Sequence, residues 1–188
     1  MADDPERRQA SSLQAITLAQ PDAWCIAKGY RPLINTKWAP PTDMQGKMIA
    51  IHTIERPGKA QLRQLERRAA QMRDAVGVDM PPLHRLPYDS VVAVVRCSGV
   101  FTEPPEDFEL GRWFQGPYGW VLDDPVPILP PLPCRGAKEL WTVPQKLLPS
   151  LRKHYQNGKQ HLRRQAERLR NLTEEQEERL ALQDPKTH

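Results

Sequence analysis

The sequence predicts an α+β fold: a small mixed β-barrel with flanking helices and a charged helical C-terminal extension. Three observations carry this. Short strand-like runs recur without a regular βα alternation, which argues against a doubly wound sheet. Twenty prolines, clustered at 40–41, 81–82, 104–105 and 125–133, call for extended connections rather than a helical bundle. Beyond residue 158 the chain turns charged and helix-prone, with arginines ahead of glutamates.

The elements follow in order. Residues 1–12 are polar and read as a disordered lead-in. Residues 13–18, with Ile16 and Leu18 alternating about Thr17, suit a first strand. Pro21 then opens a two-turn helix that Gly29 stops, with Trp24, Cys25 and Ile26 facing inward. Residues 30–42 read as a polar loop, and its Trp38 either rims a binding site or folds back onto the barrel. Residues 46–54 form a strand carrying His52, a residue that serves there as a hydrogen-bonded structural group or as a catalyst.

Between Pro57 and Gly77, Leu62, Leu65, Ala69, Met72 and Val76 step by three and four, so one helical face is core. Arg63, Arg67, Arg68 and Arg73 decorate the other, as a solvated face or a phosphate contact. After a proline-bearing loop, residues 90–95 are a β-branched run typical of a strand buried on both sides. Residues 111–122 hold Trp113, Phe114, Tyr118 and Trp120 around Gly116, Pro117 and Gly119, a turn feeding a strand. Such rings either close a core or stack on a base. Residues 126–133 must be extended, and their prolines place them on an edge. Residues 140–143 close the strand set.

Leu147, Leu148, Leu151 and Tyr155 can dock on the barrel. Lys159, Arg163, Arg164, Arg168 and Arg170 then precede Glu174, Glu175, Glu177 and Glu178, and Thr173 with Gln176 has the spacing of a capping box that would start a second short helix. The apolar stripe here is thin, which suits a helix that meets a protein partner or self-associates through residues 159–182. The expected domains are therefore a barrel at 13–157 and an extension at 158–188.

Composition bounds the function. A formal net charge of +4 leans mildly towards an anionic partner. Cys25, Cys97 and Cys134 are odd in number and unpaired by motif, so reduced thiols are expected rather than a disulfide framework or a zinc site. No apolar run approaches the roughly 20 residues that span a bilayer, and the charged N-terminus is unlike a signal peptide. The expectation is a soluble, cytoplasmic protein with no membrane contact, cofactor or metal.

With the elements in order, the chain resembles the ASCH domain (activating signal cointegrator homology) of the PUA-like superfamily. That family opens with a strand, a Gln-Pro-Trp-Ala helix, a Gly-x-Lys-x-x-Glu-x-Arg-x-Trp segment, an Arg-Gly turn and a strand ending in Ile-His-Ala. Residues 18–24 (Leu-Ala-Gln-Pro-Asp-Ala-Trp), 29–38 (Gly-Tyr-Arg-Pro-Leu-Ile-Asn-Thr-Lys-Trp), Gln45-Gly46 and Ile51-His52-Thr53 are similar to these pieces. Residues 90–97, 113–120 and 133–136 extend the likeness over roughly residues 13–143.

The resemblance implies a barrel of about six strands with a cleft beside the first helix, where related folds hold RNA or a modified base. Some relatives hydrolyse N4-acetylcytidine with lysine, threonine and glutamate. Here the second motif's Lys is Arg31, its Glu is Ile34 and its Arg is Thr36, and neither isoleucine nor a protonated arginine can act as base or nucleophile. The first expectation is therefore an RNA- or single-strand-binding module. In it Arg31, Lys37 and Lys47 meet phosphate, Asn35 and His52 bond a base edge, Thr36 adds a hydroxyl beside Lys37, and Trp38, Trp113 or Tyr118 stacks. The alternatives are a metal-independent RNA hydrolase using His52 with Lys37, and a scaffold that recruits partners through its C-terminal helices.

Overall fold

The computed structural model describes residues 12–181, with side chains through residue 177, so most of the 1–12 lead-in and the end of the chain lie outside the described residues. Six strands form one sheet in the order β2-β5-β4-β3-β1-β6, curled into a half-barrel. They are β1 (Gln14–Leu18), β2 (Leu33–Thr36), β3 (Met48–Thr53), β4 (Ser90–Phe101), β5 (Tyr118–Pro133) and β6 (Leu140–Thr142). Among the described residues four α-helices accompany them: α1 (Asp22–Ala27), α2 (Lys59–Val76), α3 (Phe108–Gly111) and α4 (Leu148–Ala181). Only β1 and β3 run parallel; every other neighbouring pair is antiparallel, which makes the sheet mixed. The α+β half-barrel with flanking helices agrees with the fold class expected from the sequence.

Period-two alternation sorts side chains to the two faces of the sheet. Ile16, Ile49, Ile51, Ala93 and Val95 point into the curl, where they meet Trp120, Leu122 and the inner face of α1. Ala15, Ala50, Val91 and Val94 face the other way, onto Ile128, Leu132, Val143 and Leu151 of α4. The run at 91–95 is buried throughout, as a β-branched strand covered on both faces must be. Register shifts between Val91 and Ala93, Val94 and Arg96, and Cys97 and Gly99 interrupt the β4–β5 ladder. Extra residues of this kind bend and twist the strands that carry them, which is what lets a six-stranded sheet curl.

Helix α2 buries Leu65, Ala69 and Met72 against Cys25, Leu33, Leu83 and Trp113, on the face its sequence period marks as apolar. Its C-terminus closes on Gly77, at φ 65°, a conformation glycine adopts without strain. Burial pushes the Cys25 thiol up to about 12, so it stays protonated and behaves as a small core residue.

Three sequence expectations are corrected. Residues 30–42 are not all loop: Leu33–Thr36 is an edge strand paired with residues 118–121. Leu33 and Ile34 are buried in different clusters, so even this short strand is held on both faces. The proline stretch of β5 lies on a local edge, as its sequence requires: residues 126, 127, 132 and 133 pair with β4, whereas β2 pairs with residues 118–121. Helix α4 covers the other side, and Asn157 donates to the Leu129 carbonyl at 2.8 Å. A second helix does not start at Thr173. Helix α4 is continuous from 148 to 181, and the Thr173 hydroxyl donates back to the Leu169 carbonyl at 3.0 Å. In an unbroken helix the backbone donors a cap would satisfy are already bonded. The Asn157-Gly158 boundary is likewise interior to α4, and Gly158 is buried where the helix crosses Pro127.

Candidate nucleic-acid interface beside the first helix

The cleft begins with a buried carboxylate. Gln20 is fully buried; its Oε1 accepts the Trp24 N–H at 3.1 Å, and its Nε2 donates to the Pro87 carbonyl at 3.0 Å. That anchors the first turn of α1 and sets Asp22 at the junction of α1, β2 and α2. Arg31 pairs with Asp22 Oδ1 from one side and donates from Nε to the Leu33 carbonyl at 2.9 Å. Arg68 reaches across from α2 in a two-pronged contact, Nε to Oδ2 at 2.6 Å and Nη2 to Oδ1 at 2.9 Å. Fork-to-carboxylate pairing of this kind fixes orientation as well as charge.

The two arginines differ in what they face. The Arg31 side chain is 5% exposed and that of Arg68 is 38% exposed. Burial, and then the Arg68 charge, bring the Arg31 guanidinium down to about 10, so it is still protonated at neutral pH. Two guanidinium groups on one carboxylate leave the cluster with a net positive charge. With Leu18, Ala19, Ile26, Ile34, Asn35 and Gln115 they line a cleft of about 140 Å³.

Asn35 ties the far wall. Its Nδ2 donates to the Trp113 carbonyl at 2.8 Å, and its Oδ1 accepts the Gln115 N–H at 2.7 Å. The turn from 113 to 115 is thereby pinned to β2, with Gln115 exposed at the rim. Trp113 lies beneath: it is 8% exposed and packs in the α2 core, with the Arg31 and Arg112 guanidinium groups 5.5 and 5.0 Å from its ring.

The structure thus brings two of the sequence candidates, Arg31 and Asn35, to the cleft wall and leaves the others outside its lining. Thr36 is buried, accepting the Trp120 indole N–H at 2.9 Å and donating to the Trp38 carbonyl at 2.8 Å. Trp38 folds back edge-on against Trp120, centroids 5.1 Å apart. Lys37 is exposed next to them. Lys47 is exposed and ion-paired with Asp43. Tyr118 is half-buried at the start of β5 and packs against the inner core.

His52 is 1% exposed and fully bonded. Its Nε2 lies 2.8 Å from the Cys134 carbonyl and its Nδ1 lies 3.2 Å from Thr17 Oγ1, which in turn accepts the Trp141 indole N–H at 3.0 Å. A carbonyl can only accept, so Nε2 carries the proton and Nδ1 accepts from the threonine. Every member of this chain is satisfied by the neutral imidazole, and burial holds the His52 pKa below its ordinary value.

Asp22 and Gln115 were missed by sequence reasoning, and Arg68 was named only as one of four arginines on the basic face of α2. Asp22 carried a readable signal, an acid inside a helix that is otherwise apolar. Nothing in the periodicity separates Arg68 from Arg63, Arg67 and Arg73, so which of the four reaches the cleft was not readable.

No protein-family model and no curated protein matches the chain. Solved ASCH structures are among its structural neighbours. The ASCH protein of Zymomonas mobilis is 11% identical, with a TM-score of 0.43 over 74% of this chain and 93% of that one. A serine-to-alanine variant of the same protein gives 11% and 0.42, over 74% and 94%. A tyrosine-to-phenylalanine variant gives 12% and 0.43, over 74% and 96%. Such low identity leaves the chemistry of the cleft to this chain's own residues. Among the described residues no helix is long and apolar enough to cross a membrane, and no cluster of His, Cys, Asp and Glu is arranged to hold a metal ion.

Proposed function

We propose that this protein is a nucleic-acid-binding module that takes one base or one phosphate of single-stranded RNA into the cleft beside α1. The observation that carries the reading is the Arg31–Asp22–Arg68 cluster, which leaves a net positive charge and a partly exposed guanidinium at the mouth of a polar cleft. Free small-molecule sites usually enclose about 300–1,000 Å³. A cleft of about 140 Å³ suits one group of a longer ligand better than a whole cofactor.

Arg68 meets phosphate or the face of a base, Gln115 offers its exposed amide at the rim, and Lys37 contributes charge nearby. Asp22 orients the two arginines rather than moving protons, since both of its oxygens are held by guanidinium groups. The cleft presents charge and amides rather than a nucleophile beside a base. Binding is therefore favoured over hydrolysis by His52 and Lys37, whose imidazole is fully engaged elsewhere.

The test is a titration of end-labelled single-stranded RNA and DNA with the full chain and with Arg68→Gln, each sample also run on a denaturing gel. Binding of RNA without cleavage products, weakened in Arg68→Gln, is the expected result. Products that appear with time and vanish in His52→Ala would replace the binding reading with a hydrolase.

A further inference from the structure

Helix α4 has two halves with different surroundings. In its first turns Leu148, Leu151 and Tyr155 pack against the outer face of the sheet, and Gly158 is buried against Pro127 of β5. Beyond His161 every residue through 177 is exposed. A helix gains most of its stability from packing one face, and this stretch packs on nothing in its own chain.

The same face nevertheless continues. At 100° per residue, Leu148, Leu151, Tyr155 and Gly158 share a stripe with Leu162, Gln165, Ala166, Leu169, Leu172, Thr173 and Gln176. The stripe is roughly 120° wide and holds no charged residue from 162 to 176. Leu162, Leu169 and Leu172 stand 37%, 65% and 47% exposed along it. The charged residues lie to either side and are unevenly spread along the axis: Arg163, Arg164, Arg168 and Arg170 come first, with Glu167 among them on the face away from the stripe, and Glu174, Glu175 and Glu177 come after.

We infer that this stripe is the interface for a second copy of the chain, the two α4 helices crossing antiparallel about a point between Arg170 and Asn171. Charge chooses the occupant and its direction. A parallel pair sets the arginine block against itself, whereas an antiparallel pair sets each arginine block against the partner's glutamates. The heptad is consistent with this register. With Leu162, Leu169 and Gln176 at position a and Gln165 and Leu172 at d, Leu169 meets the partner's Leu172 and Gln165 meets the partner's Gln176. Arg168 and Glu175 then fall at the flanking g positions, so each faces the other across the dimer twice over. A twofold pairing satisfies both copies with one patch, which closes the assembly at two. This surface is separate from the cleft beside α1.

Sedimentation of the full chain over a concentration series tests the inference. The expected species is a reversible dimer at twice the 21.6 kDa chain mass. Leu169→Glu with Leu172→Glu gives a monomer whose near-UV spectrum matches the parent. Arg168→Glu and Glu175→Arg each raise the dimer dissociation constant by about tenfold, since each turns two attractive contacts into repulsive ones. The two together restore it. A chain that remains monomeric at high micromolar concentration, or that becomes larger only on adding RNA, overturns the second-copy assignment. A dimer that the charge exchange does not rescue overturns the antiparallel register.

Discussion

Replacing Asp22 with alanine isolates what holds the cleft together. Asp22 and Arg31 side chains are 12% and 5% exposed, so both partners of this pair are largely out of water. Removing one member of a buried pair leaves the other charged and unpaired, at a cost of about 3–5 kcal/mol. Arg31 would keep only the Leu33 carbonyl as an acceptor. Arg68 adds little to that sum, because at 38% exposure its pairing is screened by solvent and contributes at most about 1 kcal/mol. Asp22→Ala is therefore predicted to lose about 3–5 kcal/mol, which for a chain of this length lowers Tm by roughly 10–15 °C. Arg68→Ala, which leaves the Asp22–Arg31 pair in place, loses about 1 kcal/mol or less. Urea unfolding of the three proteins, with unchanged m-values as the check that only stability differs, gives the comparison. Equal losses for Asp22→Ala and Arg68→Ala would refute the reasoning, since they would mean that the buried Arg31 does not depend on Asp22.

Two further predictions concern the sheet and the long helix. Burial holds the His52 pKa below its ordinary 6.5, so the unfolded chain binds more protons than the folded one as pH falls through that value. Stability should therefore drop on acidification from pH 7 to pH 5; in His52→Gln, with no proton to take up there, urea midpoints at the two pH values should lie closer together. If the His52→Gln midpoints differ as much as the parent's, His52 is not the group responsible. At Gly158 a Cβ would lie 1.8 Å from the Pro127 carbonyl oxygen, a backbone atom of β5. Alanine gains about 1 kcal/mol of helix propensity, but such a clash commonly costs about 1–3 kcal/mol and here meets a backbone rather than a movable side chain. Gly158→Ala should melt at a lower temperature by circular dichroism, and a higher Tm would show that α4 does not sit tightly on β5.

The fold class was readable because its signals are local and repeated. The β-branched run at 91–95, the three-and-four stepping of α2 and the proline-glycine turn before Tyr118 each constrain the backbone by themselves. Leu33–Thr36 was harder to see, since four residues ending in Asn-Thr become a strand only when residues 118–121 supply the ladder. The continuity of α4 was hidden by Gly158 and Thr173, which read as boundaries until Pro127 and the Leu169 carbonyl are seen beside them. At the site, Arg31 and Asn35 could be named from sequence, but their roles could not. Asn35 pins a turn 78 to 80 residues away, a pairing with no trace in local pattern. Trp113, with its aromatic neighbours, suggested a stacking platform, whereas in the fold its ring is a floor for two guanidinium groups.

Single-stranded RNA held at the proposed Arg31–Asp22–Arg68 cleft would show in the salt dependence of its affinity. Anisotropy titrations of a labelled RNA oligonucleotide at several KCl concentrations should give a straight fall of log K with log salt. Arg68→Gln should weaken binding and flatten that slope by about 0.7, the share of one phosphate contact on a single strand. No binding at the lowest salt, or a slope that Arg68→Gln leaves untouched while Arg163→Gln with Arg164→Gln flattens it, would contradict the account and move the contact from the cleft to α4.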